Sequence, residues 1–232
     1  MWAEQLLDYQ RRKIGRPVVL VVQGGLLPVA LEMWREAGNN AIVGVSLCSP
    51  PPLRFISPEA PEERNVRGRF RGEPSSPGRL KQRAAWALSL SPVGNLFFRY
   101  LRAGKDLPRI RSFSERNLFF DPERVDDEWI RMCDFGSRDA RSRFATFSYL
   151  AGTIPGGAWR DDRADLLASL DVPSQVLRGG GIPGAEERLQ ALVEALPQPS
   201  CCQLISCGRS VLPYENPAPT AEAIARFLKE NW

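Results

Sequence analysis

The chain has 232 residues, 43% hydrophobic and 25% charged, enough for one ordinary domain with a sizeable core, or for one domain carrying an insertion. No apolar run approaches the roughly 20 residues that span a bilayer. A net charge of +4, from 31 Lys and Arg against 27 Asp and Glu, falls well short of the dense basic surface of a dedicated nucleic-acid binder. The most restrictive count is histidine, which is zero: no imidazole is available as general base, proton shuttle or metal ligand, and most hydrolase, protease and zinc mechanisms are removed.

The five cysteines, Cys48, Cys133, Cys201, Cys202 and Cys207, are odd in number and lack C-x-x-C spacing, so neither a disulfide framework nor a metal knuckle is indicated. They read as buried thiols of a reducing compartment, cytoplasm or plastid stroma. The first residues show no signal-peptide pattern and run directly into an amphipathic stretch.

In chain order, Leu6, Leu7 and Tyr9 with flanking charges predict a helix over Trp2 to Lys13, ended by Gly15-Arg16-Pro17. Pro17 to Val22 is a continuous β-branched run, the pattern of a strand buried on both faces in a parallel sheet. Gly24-Gly25 predicts a sharp turn, Pro28 to Glu36 a helix, and Ala41 to Leu47 a second buried strand, so a right-handed βαβ unit is expected. Residues 54–78, rich in Arg, Glu, Pro and Gly, read as a solvated loop. Helices are then expected over Arg79 to Leu90, Val93 to Ala103, Val125 to Phe135 behind Asp121-Pro122, and Ala140 to Ala151. Alternation resumes with helix 162–170, strand Ser174 to Leu177, helix Ala185 to Leu196, strand Cys201 to Ser206 and helix Ala218 to Leu228.

Three stretches carry a resemblance to a known family. They are Val18 to Trp34 (VVLVVQGGLLPVALEMW), Asp171 to Gly180 (DVPSQVLRGG), and Ile205 to Pro217 (ISCGRSVLPYENP) followed by the helix at Ala221 to Leu228. In this order they resemble the C-terminal part of the α/β hydrolase superfamily: the nucleophile elbow, the strand and turn leading to the acidic triad member, and the stretch holding the catalytic His with its Glu-x-Pro turn. The resemblance implies a partial α/β hydrolase fold, a parallel sheet flanked by helices, with its core at 1–49 and 161–232 and a helical cap inserted at 50–160. The stretch Phe119 to Glu128 (FFDPERVDDE) is similar to hydrolase-like proteins of plants and cyanobacteria, including chlorophyll-dephytylating enzymes.

Two departures shape the functional expectation. The elbow pattern G-x-S-x-G presents a Ser hydroxyl on a strained turn, yet anchoring on Ala30-Leu31-Glu32 aligns Gly24 with the nucleophile. The acid position falls within Gly180-Gly181-Ile182, with Gly181 and Ile182 as the closest equivalents, and the His position falls on Arg209, whose guanidinium stays protonated and accepts no proton. All three roles are vacant, and triad members act as a unit. The family also carries further strands before the helix that starts at Trp2, including the loop that builds the oxyanion hole. Their absence would leave strand 17–22 as an open edge, covered by another polypeptide unless the sequence is an incomplete product of a longer gene.

Weaker signals point elsewhere. Ser46, Cys48, Ser206, Cys207 and Ser210 lie at strand ends where a displaced nucleophile could sit, but nothing near them supplies a base. Asp161, Asp162 and Asp165 suit an acidic helix first turn better than a metal cluster, and Gly179-Gly180-Gly181 reads as a plain turn without a phosphate-loop motif. Arg64, Arg67, Arg69 and Arg71 around Phe70 mimic a short RNA-binding Arg/Gly segment, offset by Glu62, Glu63 and Glu73. Aromatics from Trp86 through Phe97, Phe98, Tyr100, Phe119, Phe120, Trp129, Phe144 and Phe147 to Tyr149 read as cap packing, with an apolar pocket as the alternative. The expectation is a catalytically impaired, hydrolase-like binding or assembly protein with no catalytic residue, cofactor or metal. Gln23, Gly24, Gly25, Ser210 and Trp129 are its pocket candidates, and an apolar small molecule or a protein covering strand 17–22 is its partner. An ester hydrolase with a displaced nucleophile, and RNA binding through the Arg/Gly loop, are the alternatives.

Overall fold

The computed structural model describes residues 2–50, 87, 91–104, 106–139, 141–144, 163–197 and 199–232. The chain divides into two compact units, Met1–Arg69 with Arg160–Trp232, and Phe70–Trp159.

In the first unit, α1 (Trp2–Tyr9) runs into a π turn at Gln10–Ile14 that closes on Gly15 in the left-handed conformation. Then come β1 (Val18–Gln23), a 3-10 turn over Gly24–Leu26, α2 (Leu27–Ala37) with Pro28 in its first turn, and β2 (Ile42–Cys48). After α6 (Arg163–Ala168; α3 to α5 belong to the second unit) come β3 (Ser174–Gly179), α7 (Ala185–Ala195), β4 (Pro199–Ile205), the single turn α8 (Leu212–Glu215) and α9 (Pro217–Asn231). The four strands pair in parallel in the order β1-β2-β3-β4. The strand–helix alternation expected from the sequence is therefore present, with ends shifted by up to three residues.

Burial differs between strands with similar composition. Every residue of β3 is buried and β2 is buried at all but one, so both are covered on two faces. The expectation that Pro17 to Val22 is buried on both faces is corrected. Only Val22 of β1 is fully buried, and Val21 is 53% exposed. Among the described residues β1 stands at the end of the strand order, with a strand on one side only, and its faces are less covered than those of β2 and β3. Under the sheet's carboxyl end, Cys48, Leu177, Ile205, Leu212 and Ala223 form one apolar cluster with Ile224 against it. A buried polar relay crosses the same face: Ser46 Oγ donates to Gln175 Oε1 (2.7 Å), and Gln175 Nε2 donates to the Ala223 carbonyl (2.9 Å). A buried amide with both ends bonded pins β2, β3 and α9 in one register.

The second unit contains α3 (Pro92–Leu101), α4 (Pro108–Asn117), a 3-10 turn at Pro122–Arg124 and α5 (Asp127–Ser137). α4 was not expected. Its sequence PRIRSFSERN has no apolar stripe, and it is held by tertiary bonds: Arg111 Nη1 donates to the Val125 carbonyl at 2.5 Å and its Nη2 to Asp127 at 2.8 Å. The stretch resembling plant proteins serves as a double cap. Asp121 Oδ1 accepts from the Glu123 N–H (3.0 Å), and Asp126 Oδ1 accepts from the Trp129 N–H (2.8 Å) at the start of α5. Of the aromatics expected to pack here, Phe98 and Phe119 are buried, whereas Tyr100, Phe120 and Phe97 are exposed. Trp86, Phe147, Tyr149, the helix at Arg79 to Leu90 apart from residue 87, most of Ala140 to Ala151, the loop 54–78, the Arg/Gly segment and Asp161 and Asp162 lie outside the described residues; Asp165 falls within α6.

Candidate functional site

Parallel strands direct their carboxyl ends to one edge of the sheet, where ligands of open α/β sheets bind. Four strand ends of the first unit converge there on the loop 206–211 (Ser206 to Val211). From the end of β1, Gln23 Nε2 donates to the Ser210 carbonyl. After β2, Ser49 adopts φ +47°, a left-handed conformation that a β-substituted residue keeps only when its surroundings impose it. Its N–H donates to the Leu177 carbonyl (2.8 Å) and its Oγ to the Arg209 carbonyl (2.9 Å). At the end of β3, Gly180 and Gly181 donate to the Ile205 and Gly208 carbonyls at 2.9 and 3.0 Å. A Cβ at Gly179 would overlap the carbonyl oxygens of Gly208 and Arg209, so only glycine lets β3 approach the loop so closely.

The loop is held from below as well. The carboxylate of Glu215, fully buried, accepts from the Arg209 N–H at 2.8 Å, and Asn216 Nδ2 donates to the Cys207 carbonyl at 2.7 Å. Glu215-Asn216-Pro217 is thus a clamp. Glu215 fixes the backbone of residue 209, Asn216 that of residue 207, and Pro217 starts α9.

Gly24 directly follows β1 with φ +50°, in the tight turn between that strand and α2. The nearest neighbour of a Cβ built there would be the Ser49 carbonyl at 3.8 Å, so the position has room for a side chain that the sequence does not provide. Gly24 and Arg209 are therefore joined through Ser49, and Gly181 and Arg209 through Gly208. These positions were aligned with a nucleophile, an acid and a base. They meet at one place and carry no hydroxyl, no carboxylate and no imidazole. Among the described residues, no group of three Cys, Asp or Glu gathers where it could hold a metal ion.

The other candidate nucleophiles are dispersed. Ser46 is buried and spends its proton on Gln175. The thiol of Cys48 is pushed up to about 11 by burial, only partly offset by a hydrogen bond with Ser46. Ser206 and Cys207 are exposed and Ser210 is half-buried. The expectation of buried cysteines holds for Cys48 alone: Cys133 and Cys201 are half-buried, Cys202 and Cys207 exposed, and all five are free thiols. Partial burial still raises the Cys133 and Cys202 thiols. Trp129 belongs to the helical unit, where its indole N–H donates to Ser114 Oγ (2.9 Å) and its ring meets Phe119 edge-on at 5.0 Å. Beside the loop, a depression of about 440 Å³ is lined by Gly180, Ile182, Glu186, Glu187, Leu204 and Ser206, among others.

Solved structures share this fold. An esterase from Thermogutta terrifontis superposes with a TM-score of 0.62 at 18% identity, covering 98% of this chain and 71% of the esterase. A candidate alpha/beta hydrolase from Nostoc sp PCC 7120 gives 0.66 at 18% identity, covering 97% and 71% of the two chains. The chain has a partial α/β hydrolase fold. A bromoperoxidase from Bacillus anthracis carries the same fold at 13% identity, with a TM-score of 0.61 and coverage of 96% and 71%. No family model matches the sequence, and no curated protein matches it. Gly24, Gly181 and Arg209 lie one, two and four residues beyond the ends of β1 (Gln23), β3 (Gly179) and β4 (Ile205). Sequence reading did not single out Ser49 or Asn216, because a left-handed serine and a side-chain clamp have no signature without a partner to bond.

Proposed function

We propose that this chain is a non-catalytic α/β hydrolase-like protein that binds a small apolar molecule or a partner at the carboxyl end of its sheet. The observation behind this reading is the contrast at the strand ends. Contacts of Gly24, Ser49, Gly179, Glu215 and Asn216 hold the strand ends together, while the residues that the resemblance aligns with the reacting groups are Gly24, Gly181 with Ile182, and Arg209. Fold alone carries no chemistry. A scaffold that holds Arg209 with two bonds to its backbone supports binding without turnover, because a protonated guanidinium orients ligands but accepts no proton. Gln23, Gly24, Gly25 and Ser210 are the residues we assign to the binding end.

The assembly part of the proposal concerns β1. Its outer edge has no strand beside it among the described residues, and Val21 is half-exposed there. A polypeptide strand laid along Val18–Gln23 would complete the ladder. On the Phe119 to Glu128 stretch we also assign the chain to the plant and cyanobacterial chlorophyll-dephytylase-like branch.

The deciding experiment is a fluorophosphonate activity probe on the full chain, with an ester panel alongside. Neither labelling nor turnover above buffer is expected. Labelling that maps to one residue would overturn the reading, and turnover abolished by Cys207→Ala or Ser210→Ala would establish the displaced-nucleophile alternative.

A further inference from the structure

Helix α3 has two apolar faces where one suffices to pack it. Gly94 and Phe98 are buried on its inner side. On the outer side Val93, Leu96 and Tyr100 are 62%, 66% and 54% exposed, and Phe97, between them, is 41% exposed. The spacing 93, 96, 97, 100 is the i, i+3, i+4, i+7 pattern of one continuous helical stripe, about 10 Å long. An apolar stripe turned to water is not what helix stability selects, and it marks an interaction surface.

The helix is rigidly presented. Ser91 Oγ accepts from the Gly94 N–H (3.1 Å) as the N-cap, with Pro92 at the first position. At the other end Arg109 Nη1 donates to the Tyr100 and Ala103 carbonyls, both at 3.1 Å, and its guanidinium lies 3.8 Å over the Tyr100 ring. The charge carried by the helix itself has one sign. Residues 91–105 contain Arg99, Arg102 and Lys105 and no acidic residue, and Arg109 adds a further cation at the Tyr100 end. Arg102 is paired with Asp134 at 3.1 Å, Arg99 is exposed on the helix, and Arg109 stacks on Tyr100 of the stripe.

We propose that α3 is an interfacial docking helix for an anionic membrane surface. Val93, Leu96, Phe97 and Tyr100 would enter the boundary between headgroups and acyl chains, while Arg99 and Arg109 meet lipid phosphates. The occupant follows from the charge: an apolar stripe on a helix whose own charged side chains are all cationic complements a negatively charged, apolar-cored surface, and an aromatic with a polar tip at one end suits the headgroup level. No helix among the described residues is long and apolar enough to cross a membrane, so the contact would lie in the interface plane.

The test is flotation of the full chain with phosphatidylcholine vesicles and with mixed phosphatidylcholine/phosphatidylglycerol vesicles. Binding to the anionic vesicles, weakened by added salt, is expected. Val93→Glu with Leu96→Glu should lower the partition coefficient at least about 100-fold, since two exposed aliphatic side chains lose their insertion. Arg99→Gln should lower it about fivefold. All three side chains are exposed, so circular dichroism should show the variants folded as the parent is. Leu96→Trp places a reporter on the stripe, and brominated acyl chains should quench its fluorescence. A parent chain that stays unbound with anionic vesicles overturns the proposal. So does binding that survives the double glutamate variant, or self-association in light scattering that the double variant abolishes while vesicle binding is absent. The last result would assign the stripe to a second copy.

Discussion

Gly24→Ser asks whether the sheet's carboxyl end is a hydrolase site lacking only its reacting groups. The substitution puts a hydroxyl where the elbow would carry a nucleophile. The steric term is small, because the nearest atom to the new Cβ is the Ser49 carbonyl oxygen at 3.8 Å, an ordinary contact. The conformational term remains: φ +50° in a residue with a Cβ costs about 1–2 kcal/mol. For a chain of this size that lowers Tm by about 2–8 °C in a thermal melt. Folded Gly24→Ser should still fail to react with a fluorophosphonate, since Arg209 takes no proton from the hydroxyl. Adding Arg209→His supplies an acceptor on a backbone that Glu215 and Ser49 already hold. Labelling should then rise at least about tenfold, below the roughly 10²–10⁴-fold that a fully positioned general base contributes, because positions 180–182 provide no carboxylate to orient the ring. Gel fluorescence against time measures both rates. Rapid labelling of the single variant, or none of the folded double variant, would refute the claim that Gly24 and Arg209 stand in nucleophile and base positions.

Three further outcomes follow from named contacts. Glu215→Ala removes a buried carboxylate and leaves the Arg209 N–H without that acceptor, so urea unfolding should show a loss of about 2–3 kcal/mol, with Glu215→Gln milder. Gly179→Ala drives a methyl into the Gly208 and Arg209 carbonyls and should destabilise by about 1–3 kcal/mol or more, a result contradicted by a melting curve that matches the parent's. Cys48 should resist iodoacetamide at pH 8 in the native chain while Cys202 and Cys207 react, and all five should react in denaturant; mass spectrometry of tryptic peptides reads this directly. Its raised thiol also sets a sign. Stability from the buried neutral thiol is full below the ordinary value of 9.0 and is lost as pH rises toward about 11, up to about 2–3 kcal/mol, and Cys48→Ala should flatten that slope.

Much of this was legible in the linear order. β-branched runs separated by Gly-Gly and followed by helical patterns state a parallel α/β sheet, because chain connectivity and the handedness of crossovers leave few alternatives. Gly24, Gly181 and Arg209 could be located because strand, turn and helix boundaries are local, and the zero histidine count removed the common bases before any fold was known. The helix α4 was not legible, since Arg111 and Ser114 hold it through partners at Val125, Asp127 and Trp129.

Sequence by itself determined which groups exist and in what order strands and turns present them, because composition and short-range backbone preference belong to each segment alone. Only the tertiary structure decided that Gln23, Ser49, Gly179, Glu215 and Asn216, spread over almost the whole chain, close on one loop, and that Val21 of β1 is exposed while every residue of β3 is buried. The reason is physical. Hydrogen-bond partners and burial are properties of pairs of segments, and a Val-rich strand reads the same whether or not a neighbour arrives on each side.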